Sequence, residues 1–384
     1  MPGMWSKTRE NRQESKGHQM EVKFVDLPKQ YVNIIPRALK KYEEALNTGG
    51  FIGAPSFEDK FAKYNDVEYC VGVGSGTDAL LLTLISLGIG PGDEVIVPAN
   101  TYIATAFAVS HTGANPVFVD PNPKTYVIEA NNIKTAITSR TKAIIPVHLY
   151  GYPVDMLDVN ELARRYNLYV IEDCAQAAGA TLFGRKVGCF GIAGCFSFYP
   201  TKNIGGIGQG GAVITNDYNV AKTVRELGNV GRTDGSWFDY SHIGFNSRLD
   251  AINAEFLELC LDELDEWNSM RRNVADMYNS ELKEVSYVIT PSESSSIREH
   301  VYHLYELDCG SKTAREVLRS YLLERGIGCS VHYPVPCHKQ PMYSGSCSLS
   351  DSLADTLLSL PMHPNLTAVE VKYVCDCIKE FFED

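Results

Sequence analysis

Positive charge is in short supply: 35 lysines and arginines stand against 47 aspartates and glutamates, leaving 384 residues with a formal charge of −12. Nucleic-acid binding depends on clustered basic side chains that neutralise phosphates, so that class of partner is excluded. An anionic small molecule is not, because a local basic pocket can sit inside an acidic protein. There are eleven cysteines, yet none form a C-x-x-C pair and none has a histidine at zinc-finger spacing, so no metal site is expected. Their odd number points to reduced thiols and a cytoplasmic protein. Long apolar runs are also missing. The longest, Ala79 to Ile89, is too short to span a bilayer, which argues against a membrane protein. The first twenty residues contain no apolar segment of the kind a secretory signal needs. They read as a disordered leader over 1–20, with Met20 as the expected native start.

What remains is ordinary globular usage, 44% hydrophobic and 21% charged residues. The length suggests two domains, or one large domain with an appendage, and a core that needs neither disulfides nor metal. From Val22 to about Thr215, short β-branched runs alternate with helical patterns. The runs are 69–73, 94–98, 116–120, 143–147, 168–173, 194–199 and 212–215, with helices expected over Thr77–Leu87 and Asp158–Tyr166. Alternation of this kind implies crossover connections and a mostly parallel sheet with ligands at the carboxyl ends of its strands. Near Arg248 the pattern changes to one long helix, Leu249 to about Lys283. A serine- and glutamate-rich break, a strand at Tyr302–Leu307 and helices at Thr313–Glu324 and Ala368–Phe382 follow. The division expected is a large domain over 21–250 and a smaller α+β domain over 251–384.

Three segments carry chemistry. GVGSGTDALLL, from Gly72, ends a strand and opens a helix, so the amides of Gly76, Thr77 and Asp78 are expected to face an anion; a plain turn capped by Thr77 reads the same way. LYVIEDCAQAAGA, from Leu168, ends an apolar strand in Glu172 and Asp173, with Gln176 beyond. A carboxylate there is costly without a partner, and a protonated pyridine nitrogen is one; a helix cap or salt bridge is another. FSFYPTKNIGGIGQGG, from Phe196, sets Lys202 between an apolar strand and a glycine loop, where desolvation favours the free amine that carbonyl chemistry needs. Ser197 can donate to a phosphate. GIGQGG fits a dinucleotide spacing but leads into a strand, not a helix. A phosphate cradle, a carboxylate for a ring nitrogen and a lysine for a carbonyl together form the parts list of pyridoxal phosphate chemistry.

From about Val22 onward the chain resembles the DegT/DnrJ/EryC1/StrS family of sugar aminotransferases. The resemblance rests on GSGTDAL (74–80), PANTYIATA (98–106), VFVDP (117–121), IEDCAQAAGA (171–180), FSFYPTKN (196–203), IGFNSRLD (243–250), HVYHLY (300–305), VHYPVP (331–336) and LPMHP (360–364). It implies an aspartate-aminotransferase-like α/β fold and pyridoxal 5'-phosphate as cofactor. It further implies that Lys202 holds the cofactor and moves the proton, that Asp173 partners the ring nitrogen, and that Gln176 lies near the phenolic oxygen. Gly76, Thr77 and Ser197 match the phosphate cradle. Tyr102 matches an aromatic stacked on the ring, although a buried core tyrosine reads identically. Asn246 matches a residue reaching the phosphate of the partner subunit, which implies a homodimer with shared active sites. Arg248, His332 and Tyr333 sit in motifs near the substrate, His332 being equally readable as a structural histidine.

Where many relatives carry an acid after the lysine, this chain has Gln209 between Gly208 and Gly210. Deoxygenating members replace the lysine with histidine, and Lys202 excludes that branch. FSFYPTKNIGGIG is similar to enzymes that aminate C3 of a nucleotide-linked 3-keto-6-deoxyhexose, with L-glutamate as the donor implied by the family. The alternatives are a C4 sugar or keto-cyclitol aminotransferase and, more distantly, a nicotinamide-dependent oxidoreductase or a non-catalytic cofactor-binding regulator. The oxidoreductase reading rests on the early glycine loop and on Asp93 about twenty residues beyond it.

Overall fold

The computed structural model describes residues 20–233 and 235–383, so the expected leader, apart from Met20, lies outside the described residues. Twelve strands are present: β1 (Tyr69–Val73), β2 (Glu94–Pro98), β3 (Asn115–Val119), β4 (Thr141–Ile144), β5 (Tyr169–Asp173), β6 (Thr181–Leu182), β7 (Arg185–Lys186), β8 (Ala193–Ser197), β9 (Gly211–Thr215), β10 (Arg298–Glu299), β11 (Tyr305–Asp308) and β12 (Leu357–Leu360). The helices are α1 (Leu27–Gln30), α2 (Ile35–Thr48), α3 (Pro55–Asn65), α4 (Gly76–Ser86), α5 (Ala104–His111), α6 (Ala130–Ala136), α7 (Met156–Tyr166), α8 (Tyr218–Gly228), α9 (Ala251–Leu282), α10 (Lys312–Glu324), α11 (Ser348–Thr356) and α12 (Ala368–Glu383).

Seven strands form one sheet in the order β1-β9-β8-β5-β4-β2-β3. Only β9 runs against the others. Helices cover both faces, so an interior strand such as β2 is buried along its whole length and, after Glu94, reads as the apolar run VIVP. The carboxyl ends of β1, β2, β4, β5 and β8 therefore share one edge, and β9 enters the sheet at that edge. Gly211 opens β9 against the carbonyl of Ser75, so close that a Cβ would strike it. That contact brings the loop carrying Lys202 beside the turn that opens α4.

Two further cores lie beyond the sheet's own. The first half of α9, from Ala254 to Trp267, packs with Phe57, Phe61, Phe196 and Phe198 against the sheet. Its second half, from Val274 to Leu282, packs with Tyr305, Leu318, Leu360 and Val374. Val22 joins this second core and pairs with Ile327. No helix among the described residues is long and apolar enough to cross a membrane.

Candidate active site

Asp173 closes β5 at the shared edge and is 5% exposed. Its Oδ2 accepts from Thr105 Oγ1 at 2.9 Å, and its Oδ1 accepts from the amide of Ala175 at 3.1 Å. Burial pushes the Asp173 pKa above the ordinary carboxylate range, while these two bonds, then Lys202 and His148, work against the shift. An anion held this way gains most from a cation facing it.

Lys202 is half-buried in the turn between β8 and β9. Burial brings its ammonium down to about 8, with Asp173 pulling the other way. The free amine is thus accessible near neutrality. Asn203, next in the chain, fixes this turn. It donates to Asn268 Oδ1 at 2.8 Å and to the Val301 carbonyl at 3.0 Å, and its Oδ1 lies 3.1 Å from His303 Nδ1.

At the start of α4, Ser75 is the helix cap and its Oγ accepts from the amide of Asp78 at 3.1 Å. Two expectations change accordingly: Thr77 is not the cap, and the Asp78 amide is not free for an anion. The amides of Gly76 and Thr77 remain without an acceptor among the described residues. A Cβ on Gly76 would lie 2.7 Å from Ser197 Cβ, so glycine lets the helix end meet Ser197 directly. Ser247 Oγ ties the same corner together, accepting from the Gly74 amide at 2.9 Å and donating to Asp78 Oδ2 at 2.8 Å.

Gln176 has both ends of its amide engaged. Its Oε1 accepts from the Tyr150 amide at 2.7 Å, and its Nε2 donates to Tyr333 Oη at 2.9 Å. The Tyr333 ring lies 5.7 Å from that of Tyr102. Tyr102 is 56% exposed, which disposes of the core reading for it. His332 is held through Nδ1, 2.6 Å from Ser359 Oγ. Asn246 and Arg248 stand apart from this group. Asn246 is exposed, and Arg248 donates to the side-chain oxygens of Asn246 and, at 3.0 Å, Asn229. Gln209 is exposed, and its carbonyl accepts from Asn253. Thr105, Asn203 and Ser359 were not anticipated, since nothing local in the sequence announces a partner.

Glu172 points to the other side of β5. Its Oε1 accepts from the amides of Phe190 and Gly191 at 2.6 and 2.7 Å, and its Oε2 from Gly188 at 2.7 Å and His148 Nε2 at 3.1 Å. His148 Nδ1 accepts from the Val154 amide, so its Nε2 carries the proton. His148, Glu172 and Cys174 lie within metal-ligand reach of one another, but the histidine and the carboxylate already have their lone pairs occupied. This is a structural clamp for the loop that leads into β8. Glu172→Ala should leave the buried Gly188 amide, the part-buried amides of Phe190 and Gly191 and the buried imidazole without their acceptor, destabilising the fold by about 3 kcal/mol. Urea unfolding followed by circular dichroism checks this; a loss below about 1 kcal/mol would contradict the clamp.

The DegT/DnrJ/EryC1/StrS aminotransferase family matches residues 33–379. The chain belongs to this family. Among its relatives is the "Pleiotropic regulatory protein" of Geobacillus stearothermophilus, 39% identical and covering 94% of this chain and 99% of its own. Another is the dTDP-3-amino-3,4,6-trideoxy-alpha-D-glucose transaminase of Streptomyces venezuelae, 41% identical over 96% of this chain and 98% of its own. The crystal structure of DesV from S. venezuelae superposes with a TM-score of 0.91 at 40% identity, covering 95% of this chain and 99% of that one. As a member of a pyridoxal-phosphate-dependent aminotransferase family, the chain is an aminotransferase. The oxidoreductase alternative falls. Asp93 precedes β2, at the sheet edge opposite the site, and its carboxylate only caps the Gly90 amide at 3.0 Å.

Proposed function

We propose that the chain transfers the amino group of L-glutamate to C3 of a nucleotide-linked 3-keto-6-deoxyhexose, with pyridoxal phosphate held at the carboxyl edge of the sheet. The observation that carries this reading is the pairing of Lys202, an amine made less basic by burial, with the buried Asp173 carboxylate. The site's chemistry fits the cofactor: two unpartnered helix-end amides beside Ser197, a buried anion in need of a cation, and an amine for a carbonyl. When bound, the cofactor supplies an electron sink through its protonated ring. Asp173 keeps the proton on the ring nitrogen. Lys202 would hold the cofactor through its side-chain amine and, once released, that amine would take up and return a proton at the substrate carbon. Gly76, Thr77 and Ser197 bind the phosphate, Tyr102 covers the ring, and Gln176 braces Tyr333 at the phenolic side. His332 and Tyr333 would face the sugar, and Arg248, which stands apart from them beside Asn246, would serve the site of the neighbouring subunit.

Amination at C3 is supported by the resemblance of FSFYPTKNIGGIG to C3 enzymes and by the 3-amino sugar for which the S. venezuelae transaminase is named. The second reading is amination at C4, or of a free keto-cyclitol. Turnover separates the readings. Incubated with L-glutamate and dTDP- and UDP-linked keto sugars, the protein should yield an amine at C3, located by NMR of the product. An amine at C4, or on a free keto-cyclitol, would favour the runner-up. Turnover of none of these sugars would contradict the substrate class proposed.

We read the chain as cytoplasmic, with eleven unpaired cysteines, and as a large cofactor-binding unit over 21–250 followed by a smaller unit. We also infer a homodimer with shared sites. Phe238 is 87% and Ile243 99% exposed, beside the exposed Asn246, an apolar surface that a second subunit would bury. If Asn246 serves the neighbour's phosphate, Lys202→Ala and Asn246→Ala complement each other, because a mixed dimer has one site with both defects and one with neither. Equal mixing should restore up to about a quarter of wild-type activity. Purified, doubly tagged heterodimers with no recovered activity would place Asn246 in its own subunit's service.

A further inference from the structure

Glu306 lies in β11 directly opposite Ser359 of β12. Both are buried, at 1% and 0% exposure. Ser359 Oγ is 2.5 Å from Glu306 Oε1 and 2.6 Å from His332 Nδ1, while that carboxylate oxygen and Nδ1 are 4.0 Å apart. The hydroxyl therefore stands between carboxyl and imidazole, with contacts short enough to carry a proton in either direction. Glu306 Oε2 has no hydrogen-bond partner among the described residues. At the far end, His332 Nε2 makes no hydrogen bond among the described residues, its side chain retains 24% exposure, and the Lys202 charge is near enough to act on the ring.

We propose that Glu306, acting through Ser359, decides which ring nitrogen of His332 carries the proton, making His332 a proton donor to the site with Glu306 as its buried store. With Glu306 as the acid, its O–H donates to Ser359, the serine O–H donates to Nδ1, and the proton of His332 is on Nε2. When Nε2–H gives up its proton, the serine proton moves to Nδ1 and the glutamic acid proton to the serine oxygen. Three protons become two along the chain, and the negative charge ends on Glu306. No redox partner is needed.

The surroundings favour the acid as the resting form. Beyond Ser359 and His332, the titratable groups near Glu306 are the phenols of Tyr126, Tyr150 and Tyr333 and the Cys309 thiol, with Asp308 further along its own strand, and none of these is a cation. Burial pushes the Glu306 pKa up to about 8, with the Ser359 bond opposing. Lys202 and His303 face the imidazole instead; burial and then the Lys202 charge bring His332 down to about 4, so the ring is neutral and only its tautomer changes. Glu306 and Ser359 are positioning residues, and using the proton at a substrate atom rests on the function proposed above. The tautomer does not, because it is read without turnover.

The test uses holoenzyme reconstituted with pyridoxal phosphate and labelled with 15N-histidine, with His332→Gln to assign the resonance. Long-range 15N–1H correlation spectra are recorded from about two pH units below to about two above the Glu306 value. Wild-type His332 should change from the Nε2–H pattern to the Nδ1–H pattern as pH rises through about 8. Glu306→Gln should hold one pattern throughout. Ser359→Ala should do the same, and covers the case in which the glutamine variant does not fold, while Ser359→Thr should restore the change. A single tautomer in wild type at every pH, or the same change in Ser359→Ala, would overturn the proposal. Loss of turnover with the tautomer change intact would instead count against the proposed function.

Discussion

Lys202→Ala should lower turnover by at least roughly 10⁴-fold while leaving the protein folded, since both carbonyl capture and proton movement need the amine. The side chain is half-buried in a turn that Asn203, not Lys202, anchors. Truncation therefore removes chemistry and little packing. The measurement is steady-state turnover beside a thermal melt of the same sample. Activity within about tenfold of wild type, with an unchanged melt, would remove Lys202 from the centre of the mechanism.

The second large effect belongs to Asp173→Asn. The amide preserves shape, its one oxygen accepting from the Ala175 amide and its NH2 donating to the Thr105 hydroxyl in place of the bond the carboxylate accepts there, but it cannot hold a proton on a ring nitrogen by charge. A charge-assisted hydrogen bond in such a site contributes about 1.5–3 kcal/mol, which corresponds to a loss of about 10- to 150-fold in kcat. Cofactor affinity should fall less, because Gly76, Thr77 and Ser197 are untouched. Equal losses in cofactor binding and kcat would mean that Asp173 only holds the cofactor in place. An unchanged kcat would make it a structural cap.

The sheet was legible because strands buried on both faces read as unbroken apolar runs, and each of its seven strands lies on one of those runs within a few residues. The long helix expected from Leu249 runs over Ala251–Leu282. The strand expected at Tyr302 begins only at Tyr305, because Tyr302 adopts a positive φ of 41° that breaks the extended run. α2, α3 and α11 had no clear signal; α2 starts with an unhelpful Ile34 cap and keeps only Ala38 buried. Within the site, residues on single motifs could be found from sequence: Asp173 ends a strand, and Lys202 precedes glycines. Residues acting through distant partners could not. Thr105 meets Asp173 across 68 positions, and Glu306 meets Ser359 across 53. Spacing carries no record of such contacts; the register of β11 on β12 creates one, and the placement of α5 at the carboxyl edge of the sheet creates the other.

The most direct test of the whole account is the half-reaction. Holoenzyme mixed with excess L-glutamate and no sugar should release one 2-oxoglutarate per subunit and then stop, with the cofactor's absorbance shifting in step. Adding the keto sugar should return the absorbance and allow repeated cycles, each leaving one aminated sugar. Release of no 2-oxoglutarate, or an absorbance that glutamate never moves, would contradict the assignment of this chain as a glutamate-dependent aminotransferase.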